Sequence, residues 1–135
     1  KIPVSQINNI KNGADWVDEE GRTIPNSRLV RPADPPRSYA YCSDTKYIPD
    51  LHRMLEWVST LYHESTYLSD DIERANMYFH STAAQAAQVA KDAGVGQLLL
   101  GHYSAKCEDE NLILDEALSV FPNSRLSNEG MVIDV

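Results

Sequence analysis

The spacing of apolar and polar residues along the chain predicts strands that alternate with helices. Short runs at residues 38–42, 57–62 and 95–100 are rich in aromatic and aliphatic side chains, which is typical of strands. The unbroken run Leu98–Leu100 is expected of a strand that is buried on both faces. Strands that alternate with helical segments indicate an α/β layered fold.

Helical patterns separate these runs. Three helices are predicted, over residues 70–79, 82–93 and 109–121. Ser69 is a candidate cap for the first helix. Thr82 and Gln85 fit a capping box at the start of the second helix, and Gly94 suits the position that follows its last turn.

Shorter elements are predicted around this framework. They are a helix and turn within residues 1–12, a hairpin over 15–24, one or two helical turns over 48–54, and short strands at 29–30, 125–126 and 131–135. Residues 31–37 contain three prolines and are predicted to form a loop. At 135 residues the chain is at most one domain, or a piece of one.

The charge of the chain limits the surfaces it can offer. Its formal net charge is −8, which argues against a broad phosphate-binding surface on this segment. A nucleic-acid substrate is still compatible with this charge, because a local metal site can offset repulsion near a scissile phosphate.

Two further features of composition bear on the setting of the protein. Cys42 and Cys107 do not make a disulfide framework, so a reduced, cytoplasmic location is expected. No apolar run approaches the roughly 18 residues that a membrane-spanning helix needs, so no membrane is expected as a partner.

Polar residues follow the three main predicted strands. Asp44, His63 and His102 come at their ends, and functional sites of α/β proteins gather at the carboxyl ends of strands. Imidazole and carboxylate are the usual ligands of a hydrolytic zinc ion. His80 lies at the entrance of a helix, where it could touch an anion. Glu64 is interpreted as the partner of the adjacent His63, whose tautomer its carboxylate could fix.

Each of these residues also has a structural interpretation. An aspartate after a strand is commonly a turn residue, and a histidine there is commonly a rim residue with satisfied hydrogen bonds. His52 lies in a segment without polar company and is interpreted as structural. A nucleophilic triad through Ser43, Ser81 or Ser104 is the competing chemistry, but none of these serines lies in a GxSxG turn.

Four motifs in this order resemble a known family. They are Asp44-Thr45, His63-Glu64-Ser65-Thr66, His80-Ser81-Thr82-Ala83 and His102-Tyr103-Ser104. Together they resemble the C-terminal half of ribonuclease Z, the tRNA 3′-processing endonuclease family of the metallo-β-lactamase superfamily. The resemblance implies that residues 1–135 form a single partial domain, the C-terminal half of an αββα sandwich whose N-terminal half is absent.

The resemblance also implies roles for the residues of these motifs. Asp44 would bridge two zinc ions and His102 would bind one of them. His80 would be catalytic, protonating the leaving oxygen or holding the phosphate. Glu64 would support His80, with His63 beside it as a further catalytic residue.

Substrate contacts are implied for Lys46, Ser81, Thr82 and Lys106. Lysine stands at positions 46 and 106 where the family often has arginine. The positive charge is kept at these positions, but a bidentate contact to phosphate is lost.

The function expected from the resemblance is zinc-dependent cleavage of precursor tRNA at its 3′ end, by metal-activated water that attacks the phosphodiester. The isolated chain is expected to be inactive because the resemblance places most zinc ligands elsewhere, and an open apolar face is expected to promote a homodimer. Two alternatives stay open: a metal-dependent hydrolase of the same fold that acts on a small ester, and an interaction module without catalysis.

Overall fold

The computed structural model describes residues 1–135, which form two compact units, Lys1–Pro36 and Arg37–Val135. That residues 1–135 form a single partial domain stays a prediction.

The first unit contains a short helix followed by a hairpin. A 3₁₀ turn at Val4–Gln6 leads into α1 (Ile7–Lys11), and β1 (Trp16–Val17) pairs antiparallel with β2 (Thr23–Ile24). The connecting turn is held by Asp18, whose carboxylate accepts the backbone N–H groups at positions 20 and 22, both at 2.9 Å. The predicted helix and hairpin are therefore confirmed.

The strand predicted at residues 29–30 is wrong. Asn26–Arg28 form a 3₁₀ turn after Pro25, and the backbone N–H of Leu29 donates to the Asn26 carbonyl at 2.8 Å. The N–H of Val30 donates to the same carbonyl at 3.0 Å. Both amides are thus used within the turn and cannot pair with a neighbouring strand.

The second unit is built on a four-stranded parallel sheet. Its strands are β3 (Tyr39–Cys42), β4 (Thr60–Glu64), β5 (Gln97–Gly101) and β6 (Ser124–Leu126). They lie side by side in chain order, so each strand pairs with the next one along the chain. All four carboxyl ends therefore meet at one edge of the sheet.

Three helices belong to this unit. They are α2 (Ile72–Tyr78), α3 (Ala83–Ala93) and α4 (Glu110–Val120). The capping box of Thr82 and Gln85 is confirmed, and Gly94 ends α3 in the left-handed conformation with φ +64°. Ser69 does not cap α2: it lies in a 3₁₀ turn, and its backbone N–H donates to a carboxylate oxygen of Glu116 at 2.9 Å.

Helices cover one face of the sheet, and the other face carries exposed tyrosines. Leu61, Leu98 and Leu100 are fully buried in one core with the alanines of α3 and with Ile113 of α4. Alternate side chains of a strand point to opposite faces. The tyrosines of β3 accordingly lie exposed: Tyr39 and Tyr41 are 51% and 65% accessible. Tyr41 stacks on Tyr62, with 4.7 Å between the ring centroids. Tyr39, Tyr41 and Tyr62 form a surface that we call the tyrosine face.

Two predicted strands differ from the structure. The strand predicted at 57–62 lies at Thr60–Glu64, because Trp57 has a left-handed φ of 61° that interrupts an extended chain. Residues 131–135 form no strand. They follow Gly130, which has φ +77°, and the N–H of Met131 donates to the Asn128 carbonyl at 3.1 Å in a turn.

None of the helices has both the length and the apolar character that crossing a bilayer requires. Cys42 and Cys107 are both half-buried free thiols.

Candidate active site

Three candidate ligand residues converge at the carboxyl edge of the sheet. Asp44 follows β3 by two residues, His102 directly follows β5, and His80 lies just before α3. One ligand atom from each of these residues lies within 4.8 Å of the others. His102 Nε2 is 3.4 Å from Asp44 Oδ1, and the two imidazole rings are 5.2 Å apart between centroids.

The backbone is strained at this edge. Four non-glycine residues have a left-handed φ, and two of them are candidate ligands: Asp44 at 51° and His102 at 57°. Phe79, at 61°, ends α2 in this conformation. For an L-residue this conformation costs about 1–2 kcal/mol. Such strain persists only where the surrounding structure imposes it, and it clusters at functional sites.

Glu64, the last residue of β4, fixes the loops around the site. Its side chain is fully buried and accepts four hydrogen bonds. The donors are the backbone N–H of Thr45 at 2.6 Å, the backbone N–H of Ser81 at 3.0 Å, the Thr66 hydroxyl at 2.7 Å and His80 Nδ1 at 3.0 Å. One carboxylate therefore joins the loops that carry Asp44 and His80.

This carboxylate is held in its ionised form. Burial raises the pKa of Glu64, but the hydrogen bonds from Ser81, Thr66, Thr45 and His80 outweigh it and leave the pKa below the ordinary value. The site therefore contains a buried negative charge whose stabilisation comes from hydrogen-bond donors.

The hydrogen-bond network assigns the histidine tautomers. An ionised Glu64 only accepts, so the proton of His80 lies on Nδ1 and its Nε2 is free. The Thr66 hydroxyl donates to Glu64, so it accepts from Nδ1 of His102 at 3.0 Å. Nε2 of His102 then directs a lone pair towards Asp44, an arrangement that a proton or a cation between them stabilises.

His63 lies apart from this cluster. It is inside β4, in register with Cys42 and Leu100 on the helix-covered face of the sheet. Its side chain is 1% exposed, Nδ1 donates to the Glu64 carbonyl at 2.8 Å, and Nε2 has no partner. In this position His63 is not hydrogen-bonded to Asp44 or His102. A catalytic role for His63 stays a prediction.

The pH dependence of stability should report on His63. Burial lowers its pKa below 6.5, although the hydrogen bond to the Glu64 carbonyl and the Glu64 charge raise it. Below pH 6.5, His63 therefore binds a proton in the unfolded chain but stays neutral in the folded chain. Stability should fall between about pH 7 and about pH 5.5, with a slope of up to about 1.4 kcal/mol per pH unit from this residue.

Urea unfolding of the wild type and of His63→Asn at these two pH values would measure this dependence. The asparagine amide can donate to the Glu64 carbonyl but does not titrate, so its slope should be smaller. His52→Asn is the matched control, since His52 Nδ1 contacts only the Pro49 carbonyl at 2.6 Å. Equal slopes for wild type and His63→Asn would contradict the assignment.

The four predicted substrate-contact residues fall into two groups. Ser81 and Thr82 are fully buried and already bonded: the Ser81 hydroxyl donates to the Thr45 carbonyl at 2.7 Å, and Thr82 caps α3. Lys46 and Lys106 are exposed, and Nζ of Lys46 lies 5.6 Å from the ring centroid of Phe79. Substrate contact stays a prediction for all four residues.

Sequence reasoning gave no role to two residues of the site. Thr66 bonds both Glu64 and His102, and its place in the motif His63-Glu64-Ser65-Thr66 was the available signal. Phe79 stands directly before His80 and is 64% exposed. Nothing in the sequence indicates its left-handed backbone.

Solved structures share this architecture. The metallo-β-lactamase fold protein YhfI of Bacillus subtilis matches 70% of this chain and 38% of its own, with a TM-score of 0.65 and 25% identity. Human tRNase Z, short form, matches 64% of this chain and 29% of its own, with a TM-score of 0.50 and 24% identity. The parallel sheet and helices of this chain thus form part of a metallo-β-lactamase fold.

Similar proteins with curated names point to one family within the metallo-β-lactamase fold. Proteins named ribonuclease Z from Bacteroides fragilis and Bacteroides thetaiotaomicron are 50% and 49% identical to this chain over all 135 residues, and one from Porphyromonas gingivalis is 45% identical over 134 residues. No family model matches the chain. The chain spans less than half the length of these relatives, 43–44%. The predicted resemblance to the C-terminal part of ribonuclease Z is confirmed.

Proposed function

We propose that this chain is the C-terminal part of a zinc-dependent endoribonuclease that cleaves precursor tRNA at its 3′ end. The observation that carries the proposal is the cluster of Asp44, His80 and His102, within a chain half identical to proteins named ribonuclease Z. The buried Glu64 holds His80 in this cluster. The four motifs that predicted this function contain all four residues.

The residues of the site fit a metal ion. A carboxylate and two imidazoles provide oxygen and nitrogen ligands within 4.8 Å of one another, and Nε2 of His102 has its lone pair directed towards Asp44. We assign Asp44 and His102 as zinc ligands. Zinc bound there would supply Lewis-acid charge for the phosphate and lower the pKa of a water molecule.

Two zinc ions need more ligands than this chain offers. We infer that the others belong to the part of the relatives' length that the chain does not span, and that the chain alone is inactive. The three possible ligand atoms here include His80. We assign His80 to proton transfer, the role that the resemblance implies for it. Glu64 holds its Nδ1 and leaves Nε2 free to face the substrate.

Proton transfer at the leaving group follows from this arrangement. Water attacks the phosphorus and gives up a proton to a base, which we place outside this chain, and the bond from phosphorus to the 3′ oxygen breaks. A doubly protonated His80 gives its Nε2 proton to that oxygen, so the tRNA keeps a 3′-hydroxyl and the trailer keeps a 5′-phosphate. The ionised Glu64 stabilises the protonated imidazole that this step requires, because the two groups are 3.0 Å apart. Glu64 is thus a positioning residue for His80.

The tyrosine face supports a further proposal about assembly. It is an exposed, aromatic surface on a sheet whose other face is covered. We propose that the part of the relatives' length that this chain does not span packs on it, since the chain covers only 44% of that length. A homodimer and a cytoplasmic location stay predictions.

Cleavage assays with the full-length protein test the proposed function against its alternatives. Precursor tRNA with a 3′ trailer should be cut once, leaving a 3′-hydroxyl, and a chelator should abolish the cut until zinc is returned. A small nitrophenyl ester serves as the second substrate. Ester hydrolysis without tRNA cleavage would support the small-ester hydrolase, and the absence of both activities would support the interaction module.

A further inference from the structure

Phe79 is displayed at the candidate site at an energetic cost. Its side chain is 64% exposed, its φ is 61°, and it directly precedes His80. A left-handed backbone is disfavoured for a phenylalanine, and an exposed ring gains little from burial. The backbone conformation ends α2, because the N–H of Phe79 donates to the Asn76 carbonyl at 3.4 Å and the N–H of His80 donates to the Ala75 carbonyl at 2.8 Å. This helix ending does not require an aromatic side chain, so the exposed ring is left without a structural role in it.

Lys46 lies over this ring. Its Nζ is 5.6 Å from the ring centroid, within the range of a cation–π contact. The two residues come from different loops that Glu64 joins, since its carboxylate accepts the backbone N–H groups of Thr45 and Ser81. The Ser81 hydroxyl adds a third link by donating to the Thr45 carbonyl at 2.7 Å.

These bonds fix the position of Phe79 and Lys46 relative to the cluster of Asp44, His80 and His102. Lys46 is two residues after Asp44 in the chain, and Phe79 directly precedes His80. Asp44 and His80 both belong to the ligand cluster. An exposed ring with an exposed ammonium group thus lies beside the cluster.

We propose that Phe79 and Lys46 form a stacking platform for the nucleobase next to the scissile phosphate. This inference rests on the proposed function, which supplies the RNA substrate. The ring offers an apolar face to a base, and the ammonium group of Lys46 contacts the phosphate backbone. Phe79 has no hydrogen-bonding group, so the platform tolerates any base.

The charge of the surroundings favours a nucleotide over a protein segment as the occupant. The chain carries a net charge of −8, yet the group above this ring is a lysine and not a carboxylate. A cation beside an exposed aromatic ring complements both parts of a nucleotide, its base and its phosphate.

Kinetics of the full-length protein on paired substrates test the platform. One precursor tRNA carries normal nucleotides on both sides of the cleaved bond, and two others carry an abasic nucleotide on one side or the other. Phe79→Leu, which keeps the backbone demand but removes the ring, should raise KM on the normal substrate about tenfold, with a smaller change in kcat. Phe79→Tyr should restore the wild-type KM.

The abasic substrates separate stacking from a structural role. On the substrate that lacks the stacked base, Phe79→Leu and wild type should have the same KM, because the contact is already absent. Tyr78→Leu is the matched control, an exposed aromatic residue of α2 without a lysine over its ring. A KM for Phe79→Leu equal to that of Tyr78→Leu, or a tenfold rise that persists on both abasic substrates, would overturn the proposal.

Two further outcomes are distinguishable. Glycine adopts a left-handed φ without strain, so Phe79→Gly should stay folded and should show the same KM effect if Phe79→Leu does not fold. A wild-type protein that cuts precursor tRNA while both ring-deletion variants keep its KM would refute the platform alone. A wild-type protein that cuts no precursor tRNA would refute the proposed function, and the platform with it.

Discussion

Glu64→Ala should lower the free energy of unfolding of this chain by about 3–5 kcal/mol, as expected when one partner of a buried charged network is removed. The substitution leaves four donors without their acceptor, on Thr45, Thr66, His80 and Ser81. Each buried donor that loses its partner costs about 1–3 kcal/mol, and relaxation with water entry recovers part of that sum. Urea unfolding followed by circular dichroism measures the loss.

Glu56→Ala is the matched control for this measurement. Glu56 is exposed and makes no ion pair, so its removal should change stability by less than about 0.5 kcal/mol. Similar unfolding midpoints for the two variants would show that Glu64 does not organise these loops.

The acid limb of the stability curve gives an independent check on Glu64. Its pKa is lowered in the folded chain, so its contribution is complete above the unfolded pKa of about 4.5 and is lost as the pH falls through the folded pKa. Glu64→Gln has no titrating group here and should show a shallower acid limb than the wild type. Parallel acid limbs would contradict the lowered pKa.

His80→Ala in the full-length protein should lower kcat for precursor tRNA about 100- to 10,000-fold, the range for loss of a general acid. KM should change much less, because the proposed role of His80 is to protonate the leaving oxygen rather than to bind the substrate. Zinc content should stay near the wild-type value, whereas Asp44→Ala should lose zinc. Single-turnover cleavage and metal analysis provide the two measurements.

A substrate with sulfur in place of the leaving 3′ oxygen sharpens this prediction. A thiolate leaves without protonation, so the sulfur substrate should restore most of the His80→Ala rate. His52→Ala, a histidine outside the site, is the control and should cleave both substrates as the wild type does. A His80→Ala rate that sulfur does not restore, together with lost zinc, would instead make His80 a metal ligand.

Much of this geometry was predictable from the sequence. Parallel strands end at a common edge, so Asp44 and His102 were expected to meet there, and the structure places their side chains 3.4 Å apart. From its place in the sequence Glu64 was expected to fix the tautomer of His63, whereas its carboxylate bonds Nδ1 of His80, the partner that the resemblance implied. The capping box at Thr82 was also readable, because it depends only on local spacing.

His63 shows where such reasoning fails. The predicted strand 57–62 left His63 at its end, whereas β4 runs from Thr60 to Glu64 and holds it inside. The shift depends on the left-handed backbone of Trp57, which no residue preference predicts for a tryptophan. Since strand side chains alternate, one position separates a residue under the helices from one at the site edge.

The chain-order arrangement of the sheet has a consequence for biosynthesis. Each strand pairs with its neighbour in sequence, so the sheet can grow strand by strand as the chain leaves the ribosome. The site residues then join in the order Asp44, Glu64, His80 and His102, and the set is complete once β5 has paired with β4. The last helix and strand, α4 and β6, follow all four of these residues in the chain, so they are synthesised after them.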